Sequence, residues 1–228
     1  MPSMDGLIRR LFDRINPSIK ALSCKKNPLR QSFSMDLSAL LEQDPLYVFA
    51  LQVEASTEFA GVDTVFTGIG KLHTAYSLLK RISEKRPSLI VNLGSAGSNT
   101  FQRGEIVCCT KFIQRDMDVT ALGFEKYQTP FSAGPVTLEN GIQLHHLPQG
   151  ICGSGDNFEV DHRSAEYDVI DMEAFAIAWI AKQEGIPFLC LKYISDGADG
   201  KAAEHWQEAV KDAARALKAA IAKILDQK

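Results

Sequence analysis

From Tyr47 onward the hydrophobic residues fall in short continuous runs that alternate with longer stretches of helical period. A continuous apolar run suits a strand buried on both faces, because neither face meets water. The runs predict strands over 47–53, 64–67, 89–93, 105–109, 151–153, 169–170 and 188–194, and the 3.6-residue pattern predicts helices over 71–85, 172–184 and 203–225. The first helix opens after Gly70 and must stop before Pro87, whose ring and missing N–H forbid continuation. The second gathers Ala174, Ile177, Ala178 and Ala181 on one side and closes at Gly185, suited to a left-handed cap, before Pro187 restarts an extended chain. This alternation predicts an α/β fold: a single domain with a central mixed twisted sheet flanked by helices and ligands bound beyond the carboxyl ends of the strands. Residues 120–150 are poor in apolar positions and rich in Gly and Pro, which predicts a loop-rich excursion.

The 228 residues, 45% hydrophobic and 23% charged, suit one domain with a sizeable core. The first 34 residues stand apart. They carry Arg9, Arg10, Arg14, Lys20, Lys25, Lys26 and Arg30 against only Asp5 and Asp13. A mobile basic extension upstream of a start near Met35 and a targeting leader both account for this stretch, leaving 35–228 as the folded domain. A net charge of −3 offers no concentrated positive surface for a nucleic-acid backbone or an anionic membrane. No apolar run approaches the roughly 20 residues that span a bilayer. A small molecule is the expected partner. Cys24, Cys108, Cys109, Cys152 and Cys190 lack the spacing of a zinc site and read as reduced residues of a cytoplasmic protein, and no cofactor or metal is expected.

Three acids stand where the predicted strands give out: Glu54, Glu173 and Asp196. A carboxylate at a strand's carboxyl end reaches the crevice that α/β sheets use for ligands, whereas one in mid-strand is desolvated without compensation. Two Gly-rich stretches, Thr67-Gly68-Ile69-Gly70-Lys71 and Leu93-Gly94-Ser95-Ala96-Gly97, read as turns whose N–H groups can approach a ligand closely; they serve equally as tight strand-to-helix connections. Neither matches a Walker or dinucleotide fingerprint. A third turn, Ser154-Gly155-Asp156-Asn157-Phe158, sets an aromatic past a strand end, where Phe158 can stack on a planar base or pack in the core. His145 and His146 lack a third ligand and read as solvated loop residues, and Trp179 and Trp206 read as packing residues on helices.

These residues, in order, carry a resemblance. From about Tyr47 to Leu225 the chain resembles the nucleoside phosphorylase/nucleosidase superfamily, and within it the 5'-methylthioadenosine/S-adenosylhomocysteine nucleosidases. The matching stretches are Ala50–Ala55, Thr67–Lys71, Asn92–Gly97, Asp116–Phe124, Ser154–Phe158, Asp171–Ala174 and Ile194–Asp199. The resemblance implies that Glu54 activates a water and that Glu173 holds the ribose hydroxyls, with Met172 lining the sugar. It implies that Asp196, positioned by Ser195, protonates purine N7, that Phe158 stacks on the base, and that Ser95, Ala96 and Gly97 line the pocket. Leu122 and Pro130 match positions that reach into a neighbouring subunit's site, so a homodimer is implied, as is a place in methionine salvage.

The chemistry asks for the same arrangement. N-glycosidic cleavage passes through an oxocarbenium-like sugar and needs an acid on the leaving base and a base on the water across the sugar, as in inverting glycosidases. The acid role requires Asp196 to hold a proton, through burial or a bond shared with N7. Phosphorolysis is the nearest competitor. It needs cations for phosphate, and the Arg that phosphorylases carry shortly before the Gly-Ser turn is replaced here by Val91-Asn92-Leu93, with Arg103 and Arg115 as substitutes. A binding protein without turnover is a third reading, against which the intact Glu54, Glu173 and Asp196 speak. Three departures bear on the substrate: the segment between Pro130 and Ile151 is short, Glu159 stands where the family carries an apolar residue beside the base, and Leu51 replaces a methionine. Substrates compatible with these residues are 5'-methylthioadenosine, S-adenosylhomocysteine, 5'-deoxyadenosine and nucleosides of modified bases such as futalosine.

Overall fold

Each of the seven predicted strands and three predicted helices forms, and the differences lie at their ends. The computed structural model describes residues 36–132, 134–160, 164, 166–198 and 202–226, so the extension expected over 1–34 lies outside the described residues. In chain order the elements are α1 (Leu37–Glu42), β1 (Pro45–Phe49), α2 (Gln52–Ala55), β2 (Thr64–Phe66), α3 (Lys71–Glu84), β3 (Leu89–Gly97), β4 (Ile106–Gln114), β5 (Leu138–Glu139), β6 (Gln149–Ser154), β7 (Val169–Asp171), α4 (Ala174–Glu184), β8 (Phe188–Asp196) and α5 (Ala202–Leu225). Gly185 closes α4 at φ 63°, the left-handed cap that the sequence predicts.

The mixed sheet runs β2-β1-β3-β7-β6-β4-β5, and β8 pairs with both β3 and β4. Those two pairings close part of the sheet on itself, because β3, β8, β4, β6 and β7 return to β3. The carboxyl ends of four strands meet on this ring: Gly97 pairs with both Asp196 and Ile170, and Ile170 pairs with Gly153. Alternation along the strands feeds two cores. Ile90, Phe188 and Cys190 pack with Leu78, Ile82 and Ile177 of α3 and α4, while Val91, Leu189 and Leu191 pack with Leu217, Ile221 and Ile224 of α5. Continuous apolar runs on β3 and β8 are therefore a direct consequence of helices on both faces.

Three expectations are corrected. β1 ends at Phe49 rather than at 53; the chain turns into α2, where Val53 is 44% exposed and Glu54 is buried. Residues 93–97 are not a turn but the last half of β3, and β8 likewise runs through Ser195 and Asp196. The loop-rich segment 120–150 contains a 3-10 turn at Thr120–Leu122 and the short strand β5, which pairs antiparallel with β4. No helix among the described residues is long and apolar enough to cross a membrane.

Leu191, fully buried at the centre of β8, tests how firmly this frame holds the site. Leu191→Ala is expected to lower unfolding free energy by about 2–5 kcal/mol, the range for a buried Leu→Ala cavity, read as a shifted urea midpoint at unchanged slope.

Candidate active site

The two strands at the centre of the ring are out of step at one residue. Ala96 pairs with Ile194, but the next pair is Gly97 with Asp196, so Ser195 is the extra residue of a β-bulge. A one-residue slip exchanges the faces on which side chains emerge, so the bulge decides which way Asp196 points. Its carboxylate lies against Gly97, where an added Cβ would sit 2.8 Å from Oδ1. Asp196 Oδ2 accepts from the Ser195 hydroxyl at 2.8 Å and Oδ1 from the Ala198 N–H at 2.8 Å, which fixes the carboxylate. The Arg103 Nε–H donates to the Ser195 carbonyl at 3.1 Å and braces the bulge from behind.

Glu54 comes to the same strand from the other side. It is 5% exposed, and its carboxylate lies against Gly94, where an added Cβ would meet Oε1 at 3.2 Å. Oε1 accepts from the Ser95 N–H at 3.0 Å and the Ser95 hydroxyl at 2.7 Å, and Oε2 accepts from the Leu51 N–H at 3.1 Å. Gly94 and Gly97 are three positions apart, about 10 Å of strand. A side chain at Gly97 would displace the Asp196 carboxylate, and one at Gly94 would crowd that of Glu54.

Glu173 follows β7 and is held beside α3. Its Oε1 accepts from the Gly70 N–H at 2.8 Å, and Gly70 adopts φ 89°, a conformation in which glycine is unstrained. The Gly-rich turn at 67–71 thus presents its N–H groups to carboxylates of the protein itself: Gly70 to Glu173, and Lys71 to Asp156 at 2.8 Å. Burial, with the nearby charge of Asp171, pushes the Glu173 carboxyl up to about 8. Asp171 and Lys192, both buried, form an ion pair of 2.8 Å. Burial works to raise Asp171, yet the charge and hydrogen bond of Lys192 and donors from Ser154 and Ala174 hold it below the usual carboxylate range. Burial also works to lower Lys192, and the Asp171 charge together with smaller contributions from Cys190, Cys152 and Glu173 outweighs it, so the lysine stays well above its ordinary value. Sequence reasoning left both out, although a lone lysine within the apolar run Phe188-Leu189-Cys190-Leu191-Lys192 already demands a buried counter-charge.

A cavity of about 210 Å³ gathers Glu54, Glu173 and Asp196 with Leu51, Ser95, Ala96, Gly97, Phe158, Glu159, Met172 and Ser195. Phe158 is 53% exposed at its edge, an aromatic face open to a planar ligand rather than a core residue. Arg115 is buried beneath the turn that carries it. Its guanidinium donates to the Asn157 side chain at 2.8 Å and to the Asn157 carbonyl, and lies 3.5 Å from Glu159. Gly155 makes that possible, because an added Cβ would sit 2.9 Å from the guanidinium carbon. Glu159, expected beside the base, is thereby engaged by Arg115.

The resemblance assigns Leu122 and Pro130 to a neighbouring subunit's site rather than to that of their own chain. Leu122 is 49% exposed, and neither it nor Pro130 borders the cavity. Trp206, expected to pack, is corrected: it borders the cavity, and its indole N–H donates to the Ser95 hydroxyl at 2.7 Å. Its position in an amphipathic helix concealed this, since helical period alone reads an aromatic as packing. His145 and His146 are exposed, and among the described residues no group of His, Cys, Asp or Glu could hold a metal ion.

Residues 62–227 match the profile of the phosphorylase superfamily. The 5'-methylthioadenosine/S-adenosylhomocysteine nucleosidase of Haemophilus influenzae is 31% identical over 191 residues, covering 73% of this chain and 82% of the relative. A Neisseria meningitidis nucleosidase of the same name, solved with methylthio-immucillin-A, superposes with TM-score 0.68 at 25% identity, covering 81% of this chain and all of that one (100%). A Helicobacter pylori variant with 5'-methylthioadenosine in its active site superposes with TM-score 0.73 at 19% identity, covering 82% of this chain and 99% of that one. The chain belongs to the phosphorylase superfamily and, within it, to the 5'-methylthioadenosine/S-adenosylhomocysteine nucleosidases.

Proposed function

We propose that this cavity hydrolyses the N-glycosidic bond of 5'-substituted adenosines, with 5'-methylthioadenosine and S-adenosylhomocysteine as substrates. The single observation that carries the chemistry is the pair of buried carboxylates, Glu54 against Gly94 and Asp196 against Gly97, that border one cavity. Two carboxylates on one cavity suit a general base and a general acid acting on a sugar and its leaving base. Water held by Glu54 attacks the anomeric carbon and gives up its proton to Glu54. The bond to the purine breaks as Asp196 delivers a proton to N7, so free base and a ribose derivative leave. Glu173, with its carboxyl raised to about 8, carries a proton at neutral pH and donates it in a hydrogen bond to a ribose hydroxyl. Phe158 stacks on the base, while Met172, Ala96 and Leu51 supply apolar walls.

Water rather than phosphate is favoured by where the cations are. Arg115 is the one Lys or Arg bordering the cavity among the described residues, and it is engaged by Asn157 and Glu159. Arg103 serves the Ser195 carbonyl and Lys192 serves Asp171. A phosphate dianion beside Glu54 would meet repulsion without a bidentate partner.

Association into a homodimer is part of the same reading. Leu72 (79% exposed), Tyr76 (72%) and Leu79 (44%) line one stripe of α3, next in sequence to Ile69 (50%) of the cavity rim. A second copy covering this stripe would bring further residues, including Leu122 and Pro130, toward the site. The four described cysteines are free and buried, which supports a reducing, cytoplasmic setting. With sulfur-containing nucleosides as substrates, the reaction is a step of methionine salvage.

Incubation with a nucleoside panel, with and without phosphate, is expected to release adenine at the same rate in both; phosphate-dependent release overturns hydrolysis. Asp196→Asn is expected to lower kcat at least 10²-fold for unactivated purine nucleosides while a substrate analogue still binds, measured by calorimetry. Tyr76→Glu is expected to move the protein from twice the chain mass to the chain mass in light scattering, and an unchanged mass would reject α3 as the interface. Glu173 predicts a pH dependence. Its folded value, about 8, lies above the ordinary 4.5, so the folded state keeps a proton that the unfolded chain loses, and stability falls as pH rises from about 5 to about 8. Glu173→Gln is expected to flatten this slope; melting temperatures that run parallel for the two proteins across the window would contradict it.

A further inference from the structure

Resting on the hydrolytic reading above, a chain of three side chains reaches the general base from the start of α5. The Trp206 Nε1–H lies 2.7 Å from Ser95 Oγ, and Ser95 Oγ lies 2.7 Å from Glu54 Oε1. Hydrogen-bond direction along this chain is not free. An indole N–H can only donate, so the Ser95 oxygen must accept, and its single proton must go to Glu54. Oε1 then receives two donors, the Ser95 hydroxyl and the Ser95 N–H, and both its lone pairs are occupied. Among the described residues Oε2 receives one, the Leu51 N–H, and keeps one lone pair.

We propose that Trp206 is a positioning residue that fixes Oε2 of Glu54 as the atom which takes the proton from the attacking water. It does this without touching that water. Deprived of the indole donor, the Ser95 hydroxyl is at liberty to rotate toward other acceptors, and Oε1 regains an open lone pair. Water then divides between two oxygens, only one of which faces the anomeric carbon along a productive line. The two tryptophans of the chain are therefore unequal. Trp179 is 49% exposed on α4, while Trp206, 111 positions from Ser95 in sequence, sets the geometry of the reaction.

A double-mutant cycle in the full chain separates this role from simple packing. Trp206→Phe keeps an aromatic ring but removes the donor and part of the side-chain volume, and the cycle separates the two. It is expected to lower kcat for 5'-methylthioadenosine roughly three- to tenfold with KM within about twofold, the effect of one lost hydrogen bond on the transition state. In a Ser95→Ala background, where the relay is already cut, the same change is expected to leave kcat unaltered. Equal effects of Trp206→Phe in both backgrounds, a change confined to KM, or unaltered kcat in the unmodified background would each overturn the relay while leaving the hydrolase reading in place. Absence of turnover by the unmodified protein would overturn both. The indole N–H resonance of Trp206, assigned by its loss in Trp206→Phe, supplies a readout independent of turnover: it is expected to shift in Ser95→Ala, and an unmoved resonance would refute the hydrogen bond itself.

Discussion

A lysine and an aspartate, 2.8 Å apart and both withdrawn from water, hold the site together. Lys192 stands in the middle of β8 and Asp171 at the end of β7, on opposite sides of the strand ring. Two charges are not buried for stability alone, because their desolvation penalty offsets most of the attraction. What the pair secures is position. Asp171 also accepts from the Ser154 hydroxyl of β6 at 2.5 Å and from the Ala174 N–H at 2.9 Å, so one carboxylate joins two strands and caps α4. Glu173, two residues on, inherits its place from that cap and its raised carboxyl from burial beside Asp171's charge.

Space is the second constraint. The carboxylates of Glu54 and Asp196 lie close against β3 where Gly94 and Gly97 have no side chains, and Gly155 admits the Arg115 guanidinium for the same reason. The bulge at Ser195 turns Asp196 toward the space that Gly97 leaves, so a register slip and a missing Cβ act together. Stiffness follows from the closed ring: a strand paired on both sides cannot shift without breaking two ladders, and preorganised groups serve catalysis best when they do not relax.

Sequence alone made the strands, the helices and the three acids legible, because continuous apolar runs, Pro87, Gly185 and strand-end carboxylates each have one dominant physical meaning. It misplaced whatever depended on pairing across the fold. Gly94 to Gly97 looked like a turn, since glycine usually marks one, and only the carboxylates of Glu54 and Asp196 reveal why a strand would carry it. The direction of the Trp206 indole depends on where α5 packs, and helical period does not encode that. Lys192 is different. A charge within a doubly covered strand was visible in the sequence, and its meaning required only the demand for a counter-ion.

Charge distribution explains why this scaffold suits water as a nucleophile. Lys192 cancels Asp171, Arg115 is engaged by Glu159, and Glu173 keeps its proton near neutrality, so these groups bring little net charge to the sugar. Glu54 remains, fixed by three donors against β3. An oxocarbenium-like sugar develops positive charge where such a carboxylate stabilises it most, in a cavity with apolar walls and reduced screening. The same carboxylate repels a phosphate dianion, for which the described residues bordering the cavity offer no disengaged cation. The choice between hydrolysis and phosphorolysis thus follows from which cations the fold has already paired, more than from any single residue at the point of attack.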